Sequence, residues 1–299
     1  MLDVVIIGSG PAGITASIYA KRANLNVAVV EKEYLGTGQI AESSRVDNYP
    51  GIPGIDGYSL GEKFREHAES LGVEFTEAQV LSLEQKDGIW IIGCDEDITL
   101  ESKAVIYATG CKNRPLGVPG EEKYYGRGLS FCAVCDGAFY KGKSVAVIGG
   151  GDTALDDAMY LSDICEKVYL VHRREFFRGS ASTLEKLKQK ENVEIIVNAK
   201  VEEITGDKKI DGIILDNKTK LNISGLFAAV GMIPQTELLK EFGVLDESNY
   251  VKASEDTKTS VNGFFAAGDV RTKQLRQVVT AAADGANAIY SVMEYLRNI

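Results

Sequence analysis

Apolar and polar positions follow the same order twice along this chain. Val4-Val5-Ile6-Ile7 is an unbroken β-branched run, the pattern of a parallel strand buried on both faces; a half-exposed strand would alternate. A glycine-rich turn, Gly8-Ser9-Gly10-Pro11-Ala12-Gly13, and the helix-forming stretch ITASIYAKRA follow, and a second apolar run, Val27-Ala28-Val29-Val30, ends on Glu31. The order recurs from Val145-Ala146-Val147-Ile148 through Gly149-Gly150-Gly151-Asp152-Thr153-Ala154, a helical stretch to about Asp163, and Val168-Tyr169-Leu170-Val171. Segment 114–128, RPLGVPGEEKYYGRG, is rich in Gly, Pro and charge and reads as a connection. Gly231-Met232-Ile233-Pro234 punctuates the far end of the second unit. Phe264-Phe265-Ala266-Ala267-Gly268-Asp269 then leads to a final helix, AADGANAIYSVMEYL. The 299 residues suffice for about two domains.

Each repeat is a strand, a glycine turn, a helix and a strand, so the fold class is α/β with two Rossmann-like nucleotide-binding domains. In the first, Gly8-x-Gly10-x-x-Gly13 opens a helix and an acid, Glu31, lies about 20 residues on, the context that binds a dinucleotide. Gly8 permits the tight turn, Gly10 lets main chain approach pyrophosphate, and Gly13 lets helix and strand pack closely. The helix N-terminus offers free N–H groups and a positive dipole to phosphate, and Glu31 can accept from ribose hydroxyls. In the second, Gly149-x-Gly151-x-x-Ala154, the position matching Glu31 is His172, and Arg173, Arg174 and Arg178 follow. Guanidinium forks match a 2′-phosphate where a carboxylate would repel it. The first site therefore suits an unphosphorylated ribose such as that of FAD, and the second suits NADPH. A solvated, charged strand end is the alternative for Arg173 and Arg174.

The formal charge of −10 argues against nucleic acid, whose phosphates need basic surface. No apolar run approaches the roughly 18 residues that span a bilayer. Met1-Leu2-Asp3 enters the first strand with no basic leader or cleavage site, so the expected location is cytoplasmic. Of the five cysteines, Cys94, Cys111 and Cys165 read as small buried hydrophobes, whereas Cys132-Ala133-Val134-Cys135 is a C-x-x-C pair. One such pair with two histidines, His67 and His172, makes no zinc site, and no metal is expected. A redox dithiol is favoured, because this spacing closes a small ring and supplies a thiolate. Asp136, next in sequence, could move a proton to or from a thiol. Asp136-Gly137 is equally an ordinary turn dipeptide. His67 reads as an exposed helix residue.

These motifs together resemble the low-molecular-weight, bacterial-type thioredoxin reductases over essentially the whole chain. The matches include GSGPAG at 8–13, Gly38-Gln39, Asn48-Tyr49-Pro50-Gly51, Ala108-Thr109-Gly110, CAVCDG at 132–137, GGGDTA at 149–154, HRREFFR at 172–178, AAGD at 266–269 and Arg276-Gln277-Val278. The resemblance implies an FAD-binding domain from both chain ends, 1–112 and 244–299, with an NADPH-binding domain carrying the dithiol, 113–243, inserted between them. It implies FAD contacts from Gly8, Gly10, Gly13, Glu31, Gln39, Asn48, Thr109, Asp269 and Gln277. It implies NADPH contacts from Gly151, Asp152, Thr153, His172, Arg173, Arg174 and Arg178. Cys135 would be the flavin-proximal sulfur, Cys132 the one that attacks thioredoxin, and Asp136 the acid. A homodimer is implied as well. The chain departs from the pattern at Thr37 and Cys111, where glycine and alanine are common.

The implied cycle passes reducing equivalents from NADPH through FAD to a Cys132–Cys135 disulfide and on to thioredoxin by thiol exchange. Dithiol and nicotinamide ride on one inserted domain and must both reach one flavin, so rotation of that domain is expected. An oxidase of small dithiols or a ferredoxin-driven reductase would lack the HRRxxxR cluster, and an alkyl hydroperoxide reductase flavoprotein would carry a redox module ahead of the first glycine loop. A non-catalytic flavin-binding module would have no need of the intact C-x-x-C.

Overall fold

The computed structural model describes residues 1–33, 38–43 and 45–299; Thr37 lies outside them. The chain forms two compact units, Met1–Lys112 with Ile233–Ile299, and Asn113–Met232. The second crossing falls ahead of the 243/244 division drawn from the motifs. Residues past Ile233 belong to the first unit because they fill its core: Leu239 is fully buried there, and Phe242 stacks on Trp90 at 6.0 Å.

The first unit is built on a seven-stranded sheet. Strand Leu2–Ile7 lies at its centre, parallel to Val27–Glu31 on one side and to Thr99–Tyr107 on the other. Thr99–Tyr107 is long enough to serve two partners, Ile89–Cys94 antiparallel along its first half and Phe264–Ala266 parallel along its second. Successive side chains of Leu2–Ile7 point to opposite faces, and both are covered. Val4 and Ile6 meet helices Pro11–Arg22 and Val278–Leu296, whereas Val5 and Ile7 meet Trp90, Phe264, Leu239 and Val251. Burying each such side chain contributes about 1.5–3 kcal/mol, which is why the run cannot alternate. The two helices touch closely: a Cβ on Gly285 would lie 2.2 Å from Ala12 O.

The second unit repeats the plan with a five-stranded parallel sheet, in which Ser144–Ile148 is flanked by Lys167–His172 and Gly225–Ala228. Helices Asp152–Ser162 and Ala181–Lys188 cover one face, and a small antiparallel sheet over 201–222 contributes Ile204, Ile213, Leu215 and Leu221 to the other. Leu2–Ile7 and Ser144–Ile148 each sit where strand order reverses, the switch point at which such sheets leave a ligand crevice. No helix among the described residues is long and apolar enough to cross a membrane.

Candidate active site

The two glycine turns share their flanking main-chain hydrogen bonds. Gly8 N–H donates to Val30 O at 2.9 Å and Gly149 N–H to Val171 O at 3.0 Å. Across the crevice, Ala108 N–H donates to Ile7 O at 2.8 Å and Ala229 N–H to Ile148 O at 2.9 Å. Gly8 has φ +101°, and a Cβ there would lie 2.6 Å from Ala108 O, so only glycine fits. Gly10 and Gly151 cap the following helices without a side-chain hydrogen bond, leaving first-turn N–H groups for a ligand. A Cβ on Gly151 would point into open space.

The two turns differ in what braces them. Glu31 ends its strand with one oxygen accepting from Ser9 N–H at 2.8 Å and Ser9 Oγ–H at 3.0 Å, and the other accepting from Lys32 N–H at 2.8 Å. His172, at the matching place, is 7% exposed, and its ring lies where a Cβ on Gly150 would be, 2.2 Å away. Gly150 thus makes room for the imidazole, which also contacts Phe176 O through Nε2 at 3.2 Å and packs on Phe177. Burial, followed by the charges of Arg173, Arg174 and Arg178 against the pull of the Phe176 carbonyl, holds its pKa below the ordinary histidine value. The arginine loop is tied to the glycine turn through main chain: Arg178 N–H donates to Gly150 O at 2.7 Å, and Ser180 N–H to Asp152 Oδ1 at 2.7 Å. Arg173, Arg174 and Arg178 themselves are exposed and, among the described residues, make no ion pair with a carboxylate.

The other residues singled out for FAD gather in the first unit. Gly38, next to Gln39, packs on Gly10, its Cβ position 3.5 Å from Gly10 Cα. Asn48 donates through Nδ2 to Gln277 Oε1 at 2.8 Å across 229 positions of sequence. Thr109 Oγ1–H and Tyr107 O–H both donate to Gln235 O, at 2.8 and 2.9 Å. Asp269 has one oxygen, Oδ1, sealed from solvent with no hydrogen-bond partner among the described residues. Such an orphan is costly unless a bound group donates to it. Burial raises the Asp269 pKa, opposed by Lys273 and Arg276.

Sequence reasoning missed what holds that loop. Asp284 projects from the final helix and accepts Arg271 Nε–H at 2.8 Å, Arg271 Nη2–H at 2.7 Å, Lys273 Nζ–H at 2.9 Å and Gly268 N–H at 2.8 Å. The side chains of Arg271, Lys273 and Asp284 are 2%, 5% and 3% exposed. Burial pushes the Asp284 pKa up, but hydrogen bonds and charge from Arg271 and Lys273 outweigh it and hold the carboxyl below its ordinary value. The one available signal was an acid inside an apolar helical pattern. Asp284→Ala strands two buried cations and is expected to cost about 3–5 kcal/mol. Urea unfolding followed by Trp90, the single tryptophan and part of this unit, measures it. Because the folded pKa is depressed, the wild-type contribution is present above the unfolded pKa and disappears as pH falls through the folded one. A loss under about 1 kcal/mol would mean the cluster is solvated.

The dithiol lies in the second unit. Cys132 and Cys135 form a disulfide at the start of the short helix Ala133–Asp136, and Cys132 Sγ accepts from Cys135 N–H at 3.2 Å. Asp136 N–H donates to Cys132 O at 3.1 Å, and its carboxylate accepts from Ser130 Oγ–H at 2.6 Å. Burial raises the Asp136 pKa, and the Ser130 hydrogen bond partly offsets it. Val134 is 61% exposed beside the disulfide. Cys94, Cys111 and Cys165 are buried thiols; Cys111 S–H donates to Asp269 O at 2.9 Å, and burial pushes it up to about 12. His67 is exposed on helix Gly57–Ser70.

Two glycine turns of the dinucleotide-binding type and one half-buried disulfide define a class of nucleotide-linked disulfide oxidoreductases. Residues 2–285 match the pyridine nucleotide-disulphide oxidoreductase family, and the chain belongs to it. It is 39% identical to a 34.2 kDa protein of the Clostridium pasteurianum rubredoxin operon, over 99% of this chain and 97% of that one. It is also 39% identical to a Mycoplasma genitalium thioredoxin reductase, over 98% of this chain and 94% of that one. The crystal structure of the Streptococcus pyogenes thioredoxin reductase superposes with a TM-score of 0.94 at 40% identity, covering 100% of this chain and 99% of that one. The protein is an oxidoreductase acting on a disulfide.

Proposed function

We propose that the protein is an NADPH-dependent thioredoxin reductase with FAD as its resident cofactor. The observation that carries this reading is the Cys132–Cys135 disulfide on the same unit as an arginine-flanked glycine turn. The net reaction is NADPH, a proton and oxidised thioredoxin giving NADP⁺ and the thioredoxin dithiol. FAD, when bound, supplies two-electron relay between the nicotinamide and the protein disulfide.

The chain's own residues do the rest. The first unit, Met1–Lys112 with Ile233–Ile299, holds FAD. Gly8, Gly10 and Gly13 bring main chain to its pyrophosphate, and Glu31 and Gln39 line the adjoining edge. Asn48, Thr109 and Gln277 orient the cofactor, and Asp269 Oδ1 takes a hydroxyl proton donor. The orphaned Asp269 oxygen and the uncapped helix at Gly10 fit such a group. The intervening unit, Asn113–Met232, holds NADPH. Gly151, Asp152 and Thr153 present the helix N-terminus, His172 shapes the turn, and Arg173, Arg174 and Arg178 take the 2′-phosphate. Cys132 attacks thioredoxin, Cys135 exchanges with the flavin, and Asp136 supplies the proton. The working form is a cytoplasmic homodimer.

Coenzyme choice tests the second site. Charge-assisted bonds to phosphate are worth about 1.5–3 kcal/mol each. Arg173→Ala with Arg174→Ala should therefore raise the NADPH KM at least about tenfold. The NADH KM and kcat should change little, because the contacts are remote from hydride transfer. The measurement is kcat/KM for both coenzymes with thioredoxin as acceptor. Equal wild-type use of NADH and NADPH, or equal losses on mutation, overturns the phosphate assignment and returns the arginines to solvent.

A further inference from the structure

Ser130 ends the two-residue strand Leu129–Ser130 at the edge of the second unit's sheet, paired with Phe227. Its side chain turns inward, 6% exposed, under the turn that carries the dithiol. The hydroxyl makes two bonds at once. It donates to Asp136 Oδ2 at 2.6 Å and accepts Cys132 N–H at 3.1 Å. Its other candidate acceptor, Cys132 O, is farther, at 3.4 Å, so the shorter bond to a carboxylate claims the proton. One buried hydroxyl thereby joins the Asp136 carboxylate to the main chain of Cys132.

We propose that Ser130 is a positioning residue that holds Asp136 to the dithiol turn and tunes its proton transfer to the sulfurs. The inference rests on the reading of Asp136 as the acid. When two electrons enter the Cys132–Cys135 bond, it breaks to two thiolates. Asp136 gives its proton to one of them, leaving a thiol and a carboxylate. The Ser130 hydrogen bond favours that carboxylate, so it favours release of the proton.

The surroundings leave this bond little competition. Burial disfavours the charged form of Asp136, and the Ser130 hydrogen bond is what opposes it. Tyr140, on the following turn, feels the Asp136 charge, its own pKa raised by burial and then by that charge. Tyr160 of helix Asp152–Ser162 packs against Gly137. Lys143 donates to Phe139 O and lies over the Tyr140 ring.

The test is the pH dependence of NADPH-driven thioredoxin reduction in the FAD-loaded enzyme, for S130A, S130T, D136N and S130A with D136N. The limb that D136N removes reports Asp136. S130A should move that limb to higher pH and lower kcat by about tenfold, the strength of one hydrogen bond to a charged group. S130T keeps the hydroxyl and should restore both. In the D136N background, S130A should cost nothing further, because its route is gone. Equal losses from S130A in both backgrounds, or an unmoved limb, overturn the proposal and leave Ser130 a packing residue. Normal turnover and an intact limb in D136N would instead remove the acid role itself, and the proposal with it.

Discussion

Cys132→Ser and Cys135→Ser should each reduce thioredoxin turnover to background, while FAD should stay bound and NADPH should still bleach it. Either substitution leaves a single sulfur, which cannot cycle between a dithiol that holds two electrons and a closed disulfide ring. Neither cysteine belongs to a glycine turn or to the Asp284 cluster, so both nucleotide sites survive. The two variants should differ in what they trap. With Cys135 replaced, Cys132 still attacks the thioredoxin disulfide, but no second thiol resolves the product, and a mixed disulfide accumulates. With Cys132 replaced, the remaining sulfur is the one assigned to exchange with the flavin, and no adduct is expected. Mass spectrometry after incubation with oxidised thioredoxin distinguishes them. Retained turnover in both variants would sink the dithiol assignment, and an adduct in the Cys132 variant alone would exchange the two roles.

Asp136→Asn should lower turnover by about 10²–10⁴, the usual worth of a positioned acid or base, and at the same time leave the fold as stable or more so. Both follow from the burial that raises the Asp136 pKa. A carboxyl whose folded pKa lies above its unfolded one binds its proton more tightly when folded. Stability then falls as pH rises from the unfolded pKa through the folded one. Asparagine carries no charge, keeps an oxygen for the Ser130 hydroxyl, and escapes that loss. The checks are single-turnover reoxidation by thioredoxin and urea unfolding of wild type and variant on both sides of that pH window. Near-normal turnover at every pH would return Asp136-Gly137 to an ordinary turn. A large stability loss would mean the charge is compensated by groups other than Ser130.

The repeated strand, glycine turn and helix, the dithiol and the arginine cluster were all legible in the sequence. Each is a local demand on neighbouring residues: Gly8 for a positive φ, the Val4–Ile7 run for two buried faces, a four-residue span for a disulfide ring. Such demands leave a mark at fixed spacing whatever the rest of the chain does. The Asn48–Gln277 pair, the Asp284 clamp on Gly268 and the place where the chain re-enters the first unit at Ile233 left no such mark. They depend on which distant segments the sheet brings side by side. An aspartate in an apolar helix reads as a blemish until Arg271 and Lys273 arrive to neutralise it. His172 shows the same divide at a single residue. Its position in the repeat was readable, but its packing into the space left by Gly150 was not, because that fit is decided by the register of two parallel strands. Pattern thus determined which chemistry the protein carries. Tertiary structure decided which side chains meet the reacting groups and which hold them in place, since burial and charge pairing exist only once the segments are packed.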